Sequence, residues 1–199
     1  RRVLFRSIMA WQSRVYRLTG TAPLLMHNGL LASPTNKWAR LMKEISSKRA
    51  KTDADHEELA RLEFFGSLYL TKDGPVLPAE ALTAVIIEGA KKERMGKVAA
   101  TGVFVTQHAC LEYDGPRTAE ELWADEAFRH QALVRIQRNR VLRTRPMFDN
   151  WSAVVNVDYE DRVVTSAKAL DRWLELAGRE VGLLDWRPRF GRFTVGVVR

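Results

Sequence analysis

RIQRNRVLRTRPMFDNW, residues Arg135–Trp151, is the stretch around which the rest of the chain sorts itself. It carries Arg135, Arg138, Arg140, Arg143 and Arg145, and from Gln131 to Met147 no Asp or Glu stands beside them. Read as an extended strand, it alternates its side chains between two faces. Arg138 and Arg140 then point one way, and Arg135, Arg143 and Arg145 the other. Phe148 and Trp151 follow as flat surfaces on which a base can stack. Unneutralised charge of this kind either guards an exposed sheet edge against aggregation or awaits a polyanion. A second cluster, WRPRFGR at Trp186–Arg192, favours the polyanion.

The 199 residues are 46% hydrophobic, enough to bury one core, so a single domain over residues 9–199 is expected. The net charge of +8 is unevenly spread: residues 1–43 carry eight Lys/Arg and no acid, residues 44–130 eleven against sixteen, and residues 131–199 thirteen against eight. Two basic ends flanking an acidic middle suit a phosphate-binding surface built from both ends of the chain. The lone Cys110 excludes an intramolecular disulfide and gives no sign of an oxidising compartment, so a cytoplasmic setting is the default. No apolar run is long enough for a membrane span, and no membrane partner is expected. Arg1–Ser7, RRVLFRS, resembles the translation of a sequencing-adapter oligonucleotide of the kind found at metagenomic contig ends. Residues 1–8 are therefore read as a non-native leader, with Met9 as the native start.

Val15–Leu25 reads as a first strand, with Tyr16 and Leu18 on one face. Trp38, Leu41, Met42 and Ile45 recur at helical spacing within Asn36–Ser47. A second helix runs to Phe65, capped by Thr52 or Asp53. These two helices form an insertion over about residues 36–70. Pro78 suits the first turn of a helix whose stripe is Leu82, Val85, Ile86 and Ala90, with Lys91, Lys92, Arg94 and Lys97 at its end. Gly102–Tyr113 alternates as one strand, Thr118 and Glu121 form a capping-box pattern, and Ser152–Tyr159 reads as continuation or hairpin partner of the arginine strand. A last helix starts at Thr165 or Ser166, and FTVGVV closes the chain. The fold class is α+β. Without the insertion the order is that of a ferredoxin-like, RRM-like antiparallel sheet with helices on one face. The other face is left free, as it is where RNA-recognition modules hold single strands.

Three stretches together resemble the RAMP superfamily, the repeat-associated proteins that include the backbone subunits of CRISPR effector complexes. They are Leu18–Gly29 (LTGTAPLLMHNG), the segment after Asp73 (PVLPAEALTAVIIEGAKKE) and Asp185–Val195 (DWRPRFGRFTV). The chain departs from the pattern at Ala79 and Glu80, where the family has glycine and serine, and at a final loop with Gly191 alone. The resemblance implies a helical homo-oligomer gripping a guide-like RNA by its backbone, with other effector subunits as further partners. A small solitary or phage-encoded relative fits the length. His27, Asn28, Arg187, Arg189 and Arg192 match the binding positions. Charge alone adds Arg138, Arg140, Arg143 and Arg145, and position adds Trp151 and Trp186.

His56 and His130 fall on expected helices. His108-x-Cys110 lacks a second pair, so no metal is expected. No P-loop, Rossmann glycine pattern or serine elbow is present, and no cofactor is expected. His27 and Asp149 are the two catalytic candidates, His27 as the general acid or base that some RAMP ribonucleases use, and Asp149 as activator of a sugar hydroxyl. Four functions stay open: non-catalytic single-stranded RNA binding, a phage single-stranded DNA-binding or recombination protein, a metal-independent endoribonuclease, and a backbone-subunit mimic that inhibits a CRISPR complex.

Overall fold

Strand β1 (Trp11–Gly20) forms because its residues are of two kinds in strict alternation: Tyr16 and Leu18 are buried, while Ser13, Arg17 and Thr19 face solvent. The computed structural model describes residues 11–136, 139–164 and 166–198. The expected leader at 1–8, the start at Met9, Arg138 and Thr165 lie outside the described residues. After β1 come β2 (Leu24–Leu25), α1 (Lys37–Ser46), α2 (Asp53–Ser67), β3 (Leu70–Thr71), β4 (Gly74–Leu77) and α3 (Ala79–Lys91). Then follow α4 (Gly96–Gly102), β5 (Val103–Phe104), β6 (Ala109–Cys110) and α5 (Ala119–Ala124). The chain continues through β7 (Arg129–Ile136), β8 (Asn139–Phe148), β9 (Ser152–Glu160), α6 (Ala167–Leu176) and β10 (Phe193–Val197). The class is mixed α+β with antiparallel sheets.

The largest sheet has the order β10-β1-β9-β5, with every neighbouring pair antiparallel. Along the chain α3 lies between β1 and β5, and α6 joins β9 to β10. Leu82, Val85 and Ile86 of α3 and Leu170 and Trp173 of α6 share a core with Tyr16, Leu18, Val155 and Val157. Each such side chain contributes roughly 1.5–3 kcal/mol on burial. The two helices approach at backbone distance because a Cβ on Gly89 would strike the carbonyl oxygen of Trp173. Asp171 of α6 is tied to β1 by Arg14 at 2.8 and 2.9 Å and by the Tyr16 hydroxyl at 2.7 Å. Burial, then Asp171, holds the Tyr16 phenol far above its ordinary range, so it remains a donor.

Two smaller sheets have the orders β2-β8-β7 and β3-β4-β6. Helices α1 and α2 stand where the insertion was expected, capped by Asn36 and by a Thr52–Asp55 capping box. They pack through Trp38 against Phe65, with ring centroids 5.5 Å apart.

Three expectations are corrected. Gly102–Tyr113 is not one strand: Gly102 ends α4, β5 pairs with β9, and the backbone N–H of Val105 turns aside to the Thr83 hydroxyl at 3.0 Å. The chain then re-enters as β6 beside β4. Val103, Val105, Ala109 and Leu111 are nonetheless all buried, as the alternation required. Nor does Ser152–Tyr159 pair with the arginine-rich stretch; as β9 it lies against β1. β8 pairs instead with β2 at its inner end and with β7 along its length, and β7 includes His130, so that histidine is on a strand rather than a helix.

Candidate functional site

The arginine-rich stretch is one half of a hairpin. β7 and β8 pair from Arg129↔Pro146 out to Ile136↔Asn139. Residues directly opposite in such a ladder share a face. Arg135, opposite Arg140, therefore shares its side, and Arg143 and Arg145 lie on the other. This corrects the single-strand parity, which set Arg135 apart from Arg140. Arg138 falls between the paired ends, outside the described residues.

The inner end of the hairpin is pinned by a residue from the insertion. Glu63 of α2 is 7% exposed and uses both oxygens. Its Oε1 accepts from Arg143 Nη1 at 3.0 Å and Arg145 Nη1 at 2.7 Å, and its Oε2 from the Thr144 backbone N–H at 2.9 Å. That N–H needs such a partner because two-residue β2 pairs only with Met147 and Phe148. Arg145, 6% exposed, also donates from Nε to Asp185 at 3.1 Å. The absence of local acids was therefore misleading: the neutralising carboxylates come from distant parts of the chain. Arg145 is a buried structural ion rather than a free cation, and Arg143 is already paired.

Asp185 belongs to a loop that lies over the β1–β2 connection. Its N–H donates to Leu25 O, Gly191 N–H to Pro23 O, and Thr21 N–H to Arg192 O. Gly191 has φ +70°, and a Cβ there would strike the Leu183 carbonyl, so the close turn demands glycine. Leu184 and Trp186 also sit at positive φ, 59° and 52°, a strained backbone of the kind held at functional sites. Trp186 is half-buried. Its ring and that of Phe190 enclose His130 at 5.5 and 5.4 Å, while the Arg189 guanidinium lies over Phe190 at 5.8 Å. The loop and the base of the hairpin are thus joined twice, by Asp185–Arg145 and by His130–Trp186. Arg187, Arg189 and Arg192 remain exposed, as does Arg140 on the outer half of the hairpin. None of these four forms an ion pair among the described residues.

His27 is half-buried beside the same network. Its Nδ1 lies 3.5 Å from Ser67 Oγ, and its carbonyl accepts from the Tyr69 hydroxyl at 3.2 Å. Burial, then Arg145, lowers its pKa below the ordinary histidine value, so at neutral pH it is uncharged and adds no cation. Asn28 spends its amide locally, accepting from Leu30 N–H at 3.0 Å and donating to Leu68 O at 3.3 Å. Trp151 is corrected outright. It is 3% exposed, donates from its indole to Ala22 O at 3.0 Å and packs on Phe193, so no face is offered to a base. Asp149 is exposed in the bend between β8 and β9.

The free sheet face does not carry the charge. It presents Trp11 against Phe104 at 5.5 Å, and its Arg17 is paired with Glu112 at 2.5 Å. Exposed arginines without an ion pair among the described residues stand instead at the loop and on the hairpin, and others, such as Arg40 and Arg94, lie elsewhere. Sequence reasoning missed Glu63, whose one signal was an acid inside the apolar run Leu62–Phe65. His108 has a local duty: its Nδ1 accepts the N–H of Ala79 at the start of α3, 3.0 Å away. Among the described residues no cluster of His, Cys, Asp and Glu is placed to hold a metal ion, and no helix is long and apolar enough to cross a membrane. No protein-family model matches the chain, and no curated protein matches it.

Proposed function

We propose that the chain is a ferredoxin-like relative of the RAMP proteins that binds single-stranded nucleic acid, RNA by preference, through its phosphates and without cleaving it. The β10-β1-β9-β5 order, with α3 and α6 as crossovers, supports the fold. One observation carries the function: Arg187, Arg189 and Arg192 stand exposed, without ion pairs among the described residues, on a strained loop locked in place by Asp185 and Trp186. A planar guanidinium suits phosphate oxygens, and a fixed loop loses little freedom when it binds. The acidic middle of the chain, set against basic ends, supports self-assembly on the strand.

The test is the salt dependence of affinity for a short labelled oligouridylate. Arg187→Ala, Arg189→Ala and Arg192→Ala should each lower the slope of log K against log salt by about 0.7. An unchanged slope in all three removes the loop from the reading, and equal competition by the matching DNA strand removes the preference for RNA. A second reading has one observation of its own. A half-buried, neutral His27 within the field of Arg143 and Arg145 could act as a general base on RNA. Metal-free incubation of labelled RNA with wild type and His27→Ala decides it, since intact RNA in both ends that reading.

A further inference from the structure

In an antiparallel ladder every second residue aims its N–H and C=O away from the paired strand. Two bonds fix which residues of β8 do so. The Pro146 carbonyl accepts from Met26 N–H at 3.0 Å, and the Thr144 N–H donates to Glu63 at 2.9 Å, so the even-numbered residues point away from β7. At Thr144 both outward groups are taken by side chains, the N–H by Glu63 and the carbonyl by Arg145 Nη1 at 3.3 Å. Further out, Leu142 and Arg140 aim the same pair of groups past the end of β2, and neither has a main-chain partner on that side among the described residues. This open edge borders a cleft of about 810 Å³ whose other wall is α1 and α2. Met42 and Leu59 line the cleft from the helices, and Leu133 and Leu142, opposed on one rung and 65% and 50% exposed, from the hairpin. Lys43 and Arg140 stand on its two walls, exposed and without ion pairs among the described residues. The one carboxylate in the lining, Glu63, is already held by Arg143, Arg145 and the Thr144 N–H.

We infer that the β8 edge at Arg140 and Leu142 receives an extended, acidic segment of another protein as an added strand. Main-chain donors and acceptors at strand spacing are answered by a peptide backbone, and a nucleic-acid strand has no such ladder to return. The lining holds no Phe, Tyr or Trp, the rings on which bases stack. Its uncommitted charge is positive, so the incoming side chain opposite Arg140 is a carboxylate, and the one opposite Leu142 is apolar. A second copy of this chain does not supply that pattern: the longer strands with a free edge, β7 and β10, carry no Asp or Glu. The inference stands apart from the nucleic-acid reading, which uses the 183–192 loop.

The experiment follows the anisotropy of a labelled peptide, Thr-Glu-Thr-Val-Thr-Glu-Thr, on the full chain. It should bind, and its counterpart with Lys for Glu should bind at least about tenfold more weakly. Two N-methylated forms test the ladder, one modified at Glu and Val and the other at the threonines. One of them should lose about tenfold or more and the other keep its affinity, because a strand bonds through every second residue. Leu142→Pro leaves the β7 ladder intact, since that N–H points outward, and should weaken the peptide by about tenfold, more than Leu142→Ala does. Lys43→Glu with Arg140→Glu should reverse the preference between the Glu and Lys peptides. The salt slope for oligouridylate should be the same in Leu142→Pro as in wild type, so the loop reading survives if the strand site fails. Wild type that ignores the Glu peptide overturns the inference, and so do two N-methylated forms that behave alike. Oligouridylate that displaces the peptide and binds more weakly to Leu142→Pro assigns the cleft to nucleic acid. A multimer that Leu142→Pro dissociates assigns it to a second copy, and either result overturns the inference.

Discussion

The two ends of the β7–β8 hairpin contrast sharply. At the inner end Arg145 is buried, bonded to two carboxylates and held against α2 and the 183–192 loop. At the outer end Arg140 is exposed and Leu142 half-exposed. The same local sequence, rich in arginine and free of acid, produced both. Net charge along a segment therefore measures how many partners are needed, while the fold decides which of those needs are met internally.

The contrast can be broken most forcefully at Glu63. Glu63→Ala leaves buried Arg145 with Asp185 alone and takes the acceptor from the Thr144 N–H, and should cost roughly 3 kcal/mol of stability in urea unfolding, whereas Arg140→Ala should change stability by no more than about 0.5 kcal/mol. Equal effects would erase the distinction between the ends. Trp151→Ala should cost roughly 3–5 kcal/mol as a core truncation. Trp186→Ala, half-exposed, should cost less in stability and more in strand affinity. Paired salt titrations sharpen the contrast further. Arg189→Ala should lower the slope by about 0.7, and a free-cation effect as large for Arg145→Met would contradict its burial.

The smallest effect is in pH. His27 and His130 are both held below the ordinary histidine value of 6.5, first by burial and then by Arg145 and Arg189 respectively. The unfolded chain then binds protons that the folded chain refuses, so stability falls as pH drops below 6.5 toward the lowered folded values. Melting temperature followed downward from neutral pH should decline less steeply in His27→Gln than in wild type. Matching curves would show that His27 is not the group responsible.

Much of the body was legible because its patterns have one meaning each. Tyr16 with Leu18, the Leu82–Val85–Ile86 stripe and the Ser166 cap fix a strand, a helix and a helix start without knowledge of neighbours. The break at 104–109 was not legible, since alternation is the same whether a strand stays in one sheet or passes to another beside the same core. The hairpin was hidden for a related reason. Between paired Ile136 and Asn139 stand Gln137 and Arg138, neither of which marks a tight connection as Asn-Gly would. Of the candidate site, Arg140, Arg187, Arg189 and Arg192 could be found by charge. The fates of Arg145 and Trp151 could not, because both depend on partners far away in the chain: Glu63 and Asp185 for the arginine, Ala22 for the indole.

The register of β7 on β8 also sets how this arm could vary in length. With side chains alternating every residue, one added residue in each strand would swap the Leu133–Leu142 rung to the opposite side, while two would restore it. Related arms should therefore grow or shrink by whole pairs, each pair moving the tip by roughly 7 Å. Glu63 stays at the root as a fixed hinge pin, untouched by how far the arm extends.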